Sequence, residues 1–548
     1  MSRLTLAIAS GLALWLAFPS HNLWVLAPVG VGLLALATRG ASPWQGAVLG
    51  LVSGLSAFLP LLAWSGVYVG AMPWIALAAL ESCYIAVVGL VCALLQRGPS
   101  LAGVGKVRPF VVALTWVSAE LLRDTTPFGG FPWGRLAFSQ AESPLAGLAA
   151  LGGAPAVTFG VALVGGLLAA GVDRIVSERR RYPGLPHRGL PRRALSIAPC
   201  LVGAMVAMLG PALVPRPTDG TMARFMAVQG NVPRPGLEFN AERRAVLDNH
   251  ARLTQQAAAS VRAGTQPRPD LVVWPENASD IDPVRNADAA AVINRAADAI
   301  AAPLVLGAVL NEPKPRVSNA SLLYLPGKGL TARYIKQHPV PFAEYIPYRS
   351  FFRRLDGQVD LVRSDFVAGK SPGVFRVPGP SGGTIAAGTI ICFEVAYDGL
   401  VRNTVNHGAN VLLVQTNNAT FGFTDESAQQ LAISRIRAIE HGRSVVHVST
   451  VGVSAMITPD GTAHQSTRLF TPALLAADLP LRTDRTLADR LGAWPESLAA
   501  AVLAMMLILL GLGALAGRVG GPTRTKDGHD SPRDPAADRQ DRRADTHL

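Results

Sequence analysis

The sequence predicts an α-helical transmembrane bundle of about eight spans joined to an α/β domain, and three observations indicate this fold class. The 548 residues are 49% hydrophobic and only 16% charged, with a mean hydropathy of +0.30, a balance typical of membrane proteins. Long apolar runs fill the first part of the chain and recur near its end. Between them, short β-rich runs alternate with helical ones, as in layered α/β domains.

The apolar runs are the predicted spans, although some are shorter than the ~20 residues that a helix needs to cross a bilayer. They are Leu4–Phe18, Leu23–Thr38, Gln45–Trp64, Trp74–Leu95, Phe110–Leu122, Pro155–Val172, Leu195–Val214 and Leu498–Ala516. The first run could instead be a signal peptide with Arg3 as its charged flank, but no clean small-residue cleavage site follows it.

These runs divide the chain into four predicted regions. A transmembrane domain (1–215) precedes an α/β domain (221–482), which is followed by a single transmembrane helix (497–517) and a tail (518–548). The tail alternates Arg and Asp and lacks apolar residues, which predicts disorder. Within the α/β domain, Asp282–Ala301 and Asp425–His441 have helical spacing, with Asp282 as the predicted N-cap of the first.

The Lys and Arg distribution predicts the orientation. The net charge is +13, but the densest basic cluster, Arg174–Arg193, lies between two apolar runs, so topology explains it better than nucleic-acid binding does. Basic loops alternate with loops that are poor in Lys and Arg. This pattern places the basic loops and both termini in the cytoplasm, and the α/β domain outside it.

Three separated stretches together predict one catalytic centre: Glu276 in LVVWPENAS, Lys336 in ARYIKQHP and Cys392 in GTIICFE. A thiol can attack a carbonyl, a carboxylate can carry its proton, and an ammonium can stabilise the oxyanion. Cys392 is the only one of four cysteines outside the apolar runs; taken alone, a buried core cysteine would be the default interpretation. No zinc-type cysteine spacing or Gly-rich phosphate loop occurs, so no metal or cofactor is predicted.

The flanking residues carry a resemblance to a known family. The order Glu, Lys, Cys within WPE, KQHPVPFAEYIP and ICFE resembles the nitrilase superfamily. The apolar runs, with VQGNVP (228–233), VPFAEYIP (340–347) and FGGFPWGRL (128–136), narrow it to the membrane branch of that superfamily, the bacterial apolipoprotein N-acyltransferases. The likeness covers nearly the whole chain and implies an α/β nitrilase-like αββα sandwich domain beside the bundle.

The resemblance also implies roles for single residues. Cys392 would be the nucleophile, Glu276 the general base and Lys336 the oxyanion partner, while Glu344 and Glu394 would support the site. The chain departs from the family pattern at four positions. Phe393, a further predicted supporting residue, stands where relatives often have Tyr. Asn418 and Thr420 replace Asp and Trp of an Asn-Asp-Ala-Trp-Phe run. Phe239, a predicted substrate-binding residue, stands for a Trp of some relatives.

The implied reaction moves an acyl chain from a phospholipid to the cysteine thiol, and then to the N-terminal amine of a diacylated apolipoprotein, at the bacterial inner membrane. Because both substrates carry long acyl chains, the site must open toward the bilayer. The stretch Tyr345–Phe366 suits that opening, with Tyr345, Phe351, Phe352 and Arg353 as predicted substrate-binding residues, although a packed loop with solvated arginines explains it equally well.

Two other functions stay open from the sequence. A membrane-anchored carbon–nitrogen hydrolase would use the same three residues with water as the acceptor, but a water-soluble substrate would not require so many spans. A scaffold for an envelope glycosyltransferase would need no chemistry, and the complete Glu, Lys and Cys set argues against a purely structural role.

Overall fold

A computed structural model of the protein describes residues 2–96, 107–181, 190–233, 242–354 and 357–519. Nearly all of the tail predicted to be disordered lies outside these ranges. The helical N-terminal part contains α1 to α7, and each predicted apolar run there coincides with one of these helices. Their bounds are Arg3–Ala17 (α1), Leu26–Thr38 (α2), Pro43–Leu61 (α3), Ala71–Leu95 (α4), Pro109–Thr125 (α5), Ala149–Arg181 (α6) and Leu190–Leu209 (α7).

Several of these helical segments have the length and apolar character that a bilayer crossing needs. Within the described ranges, four meet both criteria: Pro43–Leu61, Ala71–Leu95, Pro144–Ser177 and Trp494–Leu515. The apolar helices Arg3–Ala17 and Leu26–Thr38 are shorter, with 15 and 13 residues. The structure therefore describes a membrane protein, while the figure of eight spans stays a prediction.

Small residues bring α3 and α4 into close contact. A Cβ atom at Gly46 would lie 2.4 Å from the backbone oxygen of Gly89, and one at Gly89 would lie 2.1 Å from that of Gly46. Only glycine permits this approach, as in other closely packed membrane helices. Helix α3 starts at a capping box in which Ser42 and Gln45 satisfy each other's backbone N–H groups.

Two sheets form the α/β part, each with six strands in the described residues. The first sheet has the order β12-β1-β2-β3-β4-β5 and the second has the order β11-β10-β9-β8-β7-β6. The strands are Thr221–Gln229 (β1), Leu271–Val273 (β2), Leu304–Leu310 (β3), Ser318–Leu325 (β4), Gly329–Ile335 (β5), Val374–Pro378 (β6), Thr384–Ile391 (β7), Val411–Thr416 (β8), Ser444–Ser449 (β9), Ala455–Ile457 (β10), Ala463–His464 (β11) and Ala473–Leu481 (β12). Strands β1, β2 and β3 run parallel, as do β7, β8 and β9.

The sheets and their covering helices form the predicted αββα sandwich. Apolar side chains of both sheets, such as Phe225 and Leu413, fill the space between them. Helices α8 and α9 cover the first sheet, and α11 and α12 cover the second. The remaining bounds are Arg243–Arg262 (α8), Ala287–Ile300 (α9), Arg349–Phe352 (α10), Asp398–Asn406 (α11), Glu426–His441 (α12), Leu487–Leu491 (α13) and Trp494–Val519 (α14).

The predicted start of α9 is wrong, whereas that of α12 agrees with the structure to within one residue. Asp282 does not cap a helix, because α9 begins at Ala287. Its carboxylate instead accepts backbone N–H groups from Val284 at 2.9 Å and Asn311 at 2.8 Å. An aspartate that bonds to the backbone two residues ahead forms a local turn, which competes with helix initiation.

Candidate active site

Cys392 stands where β7 ends and a short 3₁₀ turn, Cys392–Ala396, begins. Its φ angle is +53°, in the left-handed region that non-glycine residues rarely adopt and that often marks a functional position. Burial raises the pKa of the thiol, and the nearby carboxylate of Glu276 raises it further, while Lys336 opposes this rise. The resting sulfur is therefore a thiol, and its attack on a carbonyl requires a base.

Glu276 is the third residue after the end of β2, and it is 5% exposed. One carboxylate oxygen accepts from Asn319 Nδ2 at 2.7 Å and lies 3.4 Å from Lys336 Nζ. The other accepts from the backbone N–H of Asn417 at 2.9 Å. Burial raises the pKa of Glu276. The charge of Lys336 and hydrogen bonding with Cys392 lower that pKa, but burial outweighs them. A carboxylate with a raised pKa beside a thiol is suited to take its proton.

Lys336 comes directly after β5, and its ammonium lies between two carboxylates. Nζ is 2.9 Å from Glu344 and 3.4 Å from Glu276, and the residue is 1% exposed. Burial lowers the pKa of Lys336, but the two carboxylates outweigh burial and hold it above its usual range. The lysine therefore stays charged, and its charge also lowers the pKa of the Cys392 thiol.

Asn319, on β4, belongs to this cluster but was not predicted. Its Nδ2 donates to Glu276 at 2.7 Å and to Glu344 at 3.0 Å. No residue of its segment, NASLLYL (319–325), is among the site residues predicted from the sequence. An asparagine at the start of an otherwise apolar buried strand is the only signal that the sequence offers, because its partners are 43 and 25 residues away.

Glu394 connects the lysine and cysteine segments. It is fully buried and accepts hydrogen bonds from the Tyr334 hydroxyl at 2.9 Å, from the backbone of Gln337 at 2.6 Å and from the backbone of Ile391 at 2.8 Å. The backbone of His338 donates to it at 3.2 Å. Its carboxylate therefore fixes the position of the Lys336 segment relative to the turn that begins at Cys392.

The turn after Cys392 also packs on the N-terminal helical part. The Phe393 ring stacks on Trp133 with a centroid distance of 5.6 Å and on Phe131 with one of 5.2 Å. Trp133 donates to Gln429 of α12 at 2.7 Å. Phe393 thus packs between the turn and the FGGFPWGRL segment (128–136).

Three of the predicted substrate-binding residues, Phe351, Phe352 and Arg353, contact side chains close to them in the sequence. Phe352 makes edge contacts with Phe342 at 4.8 Å and with Phe351 at 5.1 Å, and Phe351 is 56% exposed. Arg353 forms an exposed ion pair with Asp360. Tyr345 is half-buried, and Phe239 lies outside the described residues. Among the described residues, no group of three or more His, Cys, Asp and Glu side chains could hold a metal ion.

Comparisons with known proteins show which family models match the two parts of the chain. A family model described as carbon-nitrogen hydrolase matches residues 227–488, and one described as apolipoprotein N-acyltransferase N-terminal domain matches residues 10–167. A Nesterenkonia AN1 amidase from the nitrilase superfamily aligns with 49% of this chain and 93% of its own, at 20% identity and a TM-score of 0.35. The α/β part of the chain thus matches the carbon-nitrogen hydrolase family model over nearly its whole length.

Curated relatives extend over both parts of the chain. The apolipoprotein N-acyltransferase of Mycolicibacterium smegmatis is 41% identical, covering 92% of this chain and 84% of its own. Those of Azotobacter vinelandii and Photobacterium profundum are 30% and 27% identical, covering 89% and 93% of this chain and 92% and 95% of their own. The chain belongs to the apolipoprotein N-acyltransferase family.

Proposed function

We propose that the protein transfers an acyl chain from a phospholipid to the N-terminal amine of a diacylglyceryl-cysteine lipoprotein, through a thioester on Cys392. The observation that carries the proposal is the buried cluster of Glu276, Lys336 and Glu344 beside the Cys392 thiol, in a chain that also has long apolar helices. Membership of the family supports the role in lipoprotein maturation.

In the first half-reaction, Glu276 takes the thiol proton as Cys392 Sγ attacks the ester carbonyl. Lys336 stabilises the oxyanion in a site from which water is largely excluded. The carbon–oxygen ester bond then breaks, Glu276 returns the proton to the leaving alkoxide, and a lysophospholipid departs. Glu344 and Asn319 hold Lys336 and Glu276 in place for this step.

In the second half-reaction, the acceptor amine attacks the thioester carbonyl. Glu276 takes the amine proton, Lys336 again stabilises the oxyanion, and the carbon–sulfur bond breaks as the thiolate of Cys392 leaves. Glu276 then returns the proton to the sulfur. One phospholipid and one amine give one lysophospholipid and one amide, with ping-pong kinetics.

The surface around Phe351 is the proposed opening for acyl chains. Phe351, Phe342 and Tyr348 are 56%, 44% and 75% exposed, and Phe128 packs edge-on against Phe342 at 5.9 Å. Exposed aromatic side chains of this density favour the interface between headgroups and acyl chains. The guanidinium of Arg353 is paired with the Asp360 carboxylate. Arg353 therefore binds a lipid phosphate only if the phosphate replaces Asp360.

A comparison of two variants tests this opening. The double variant Phe351→Ala and Phe352→Ala should raise the KM for phospholipid in vesicles, whereas Arg353→Ala should change it less. A double variant with unchanged donor turnover would remove the proposal for this surface. It would leave the thioester chemistry untouched.

The proposed location is the bacterial inner membrane, with the catalytic domain (221–482) on the extracytoplasmic side and both termini in the cytoplasm. The distribution of Lys and Arg over the loops supports this orientation. The same proposal includes two transmembrane regions and a disordered tail, at 1–215, 497–517 and 518–548. An envelope glycosyltransferase partner stays a prediction.

Product analysis tests the function itself. The protein is mixed with phosphatidylethanolamine vesicles and a synthetic diacylglyceryl-cysteine peptide, and all products are measured by mass spectrometry. We expect equal amounts of lysophospholipid and N-acylated peptide, and a loss of about 10²–10⁴-fold in Glu276→Gln. Free fatty acid without acylated peptide would favour a hydrolase, and no product at all would favour a scaffold. A Glu276→Gln variant that forms and resolves the thioester at normal rates would exclude the general-base role.

A further inference from the structure

Two side chains that have no role in the reaction described above approach the Cys392 sulfur. Gln430, on α12, places its Nε2 3.5 Å from Sγ, and the Thr416 hydroxyl at the end of β8 lies 3.6 Å from it. Gln430 and Thr416 are both fully buried. An uncharged amide held against a reactive sulfur needs an explanation, because the same space could hold an apolar side chain at a smaller desolvation cost.

The hydrogen-bond network fixes which end of the Gln430 amide faces the sulfur. Its Oε1 accepts from the Thr416 hydroxyl at 2.7 Å and from Asn418 Nδ2 at 3.0 Å. Asn418 is itself fixed, because its Nδ2 also donates to Glu426 at 2.6 Å and its Oδ1 accepts from the Ser449 hydroxyl. With two donors on Oε1, the end that faces Sγ is the N–H donor.

A donor at this place distinguishes between the states of the sulfur. A thiolate is a strong hydrogen-bond acceptor, whereas the sulfur of a thiol or thioester is a weak one. The interaction is therefore strongest where negative charge develops on Sγ, during attack on the ester and during departure from the thioester. An interaction that strengthens in the transition state accelerates the reaction.

We propose that Gln430 is a catalytic residue that donates a hydrogen bond from Nε2 to the Cys392 thiolate in both half-reactions. The proposal rests on the proposed thioester route and adds a second source of stabilisation to it. Lys336 stabilises charge on the oxygen, and Gln430 stabilises charge on the sulfur. Asn418 and Thr416 are positioning residues that orient the amide. No bond to Gln430 forms or breaks.

The test measures the reactivity of Cys392 directly, without any lipid. Full-length protein in detergent is treated with iodoacetamide between pH 6 and pH 10, and alkylation of the peptide that contains Cys392 is followed by mass spectrometry. The compared proteins are wild type, Gln430→Met, Gln430→Glu and Ser434→Ala. Methionine keeps the length without the donor, and glutamate replaces the donor by an acceptor.

Ser434→Ala is the matched control, because it removes a buried hydrogen bond of the same helix, to His447 at 2.9 Å, without touching the sulfur. The charged groups that act on Cys392 are Glu276, Lys336 and Glu426. All three are retained in each variant, so a change in the pH profile reports on residue 430 in Gln430→Met.

We expect Gln430→Met to alkylate about 10–100-fold more slowly at neutral pH, with its profile moved to higher pH, and Gln430→Glu to be slower still. Ser434→Ala should follow the wild type. Superimposable profiles for wild type and Gln430→Met would overturn the proposal. If Gln430→Met does not fold, the test uses Thr416→Val, which removes one donor that orients the amide. Thr416→Val should show a smaller shift of its pH profile in the same direction. An unchanged profile in Thr416→Val would also overturn the proposal.

A second readout separates this proposal from the proposed function. Wild-type protein is given phosphatidylethanolamine vesicles, and the acyl adduct and its removal by the peptide amine are timed by intact mass. Slower formation and slower removal in Gln430→Met support both ideas. An absent adduct in the wild type would refute the thioester route, while the alkylation profile would still decide whether Gln430 donates to the sulfur.

Discussion

The two helical layers of the sandwich differ in what lies on their outer side. Helix α8, over the first sheet, has an exposed polar face where Arg244 pairs with Asp248 and Asp288. Helix α12, over the second sheet, is buried almost all round. Its Arg437 is fully buried, pairs with Asp398 and Glu440, and donates to the carbonyls of Val395 and Ala396 in the turn after Cys392.

The residues of the proposed active site are divided between these two sheets. The first sheet carries Glu276, Asn319 and Lys336 and is covered by helices of its own domain. The second sheet carries Cys392, and the apolar core on its outer side is continuous with that of the N-terminal helices. The turn that carries Cys392 therefore packs directly against the N-terminal helices, whereas the strands that precede Glu276 and Lys336 are covered by helices of the α/β part.

The largest expected effect is in the first sheet. Lys336→Met removes the cation that we propose to stabilise the oxyanion and leaves Glu276 and Glu344 facing each other, so acyl transfer should fall by about 10³-fold or more. Lys328→Met, in the exposed turn between β4 and β5 of the same sheet, should have no effect. The measurement is the rate of N-acylated peptide formation; a loss below tenfold in Lys336→Met would contradict the role of the lysine.

Arginine substitutions in the two layers test their difference in stability. Arg437→Met removes the cation that pairs with the buried Glu440 carboxylate and leaves Asp398 with Arg135 as its partner, so it should cost about 3–5 kcal/mol. Arg244→Met removes only exposed ion pairs and should leave the thermal midpoint unchanged. Thermal unfolding in detergent gives both values. Equal midpoints for the two variants would mean that the layers are not different in this respect.

The Phe393 stack tests whether packing on the N-terminal part affects the nucleophile. Phe393→Leu keeps an apolar side chain but loses the stacks on Trp133 and Phe131, which should cost about 1–3 kcal/mol and slow acylation of Cys392. The control is Phe375→Leu, a buried position on β6 between the sheets. It should also lower the thermal midpoint, but without slowing acylation; equal slowing in both variants would indicate a general loss of stability.

The last test concerns Glu426 on α12 and measures a change of stability with pH. Burial raises its pKa from 4.5 to about 8 in the folded protein. The folded state therefore holds a proton that the unfolded state has lost, and Glu426 destabilises the fold progressively as the pH rises from 4.5 to 8. Glu426→Gln lacks this penalty. Its thermal midpoint relative to wild type should rise by at least about 4 °C between pH 5 and pH 8; a constant difference would show that Glu426 is not protonated.

The sequence predicted those parts of the site whose signals are local. Glu276, Lys336 and Cys392 each follow a strand and stand in a recognisable run of neighbours, and the alternation of strands and helices predicted the sandwich. Asn319, Gln430 and Arg437 were missed, because a polar side chain in a buried element has no local signature. Their partners come from other elements, up to 43 residues away for Asn319 and 38 for Gln430.

Other outcomes depended on competition between local and tertiary contacts. Asp282 had the pattern of a helix cap, but the backbone of Asn311 supplied a tertiary partner and a turn formed instead. The stack of Phe393 on Trp133 could not be predicted from the sequence, because 260 residues separate the two rings.

The most direct test of the account is the intact mass of purified protein after incubation with phospholipid vesicles. The account predicts one fatty-acyl increment that hydroxylamine removes, located on Cys392 and absent from Cys392→Ala. Transfer to the peptide amine that persists in Cys392→Ala, or an acyl group located on another side chain, would contradict it.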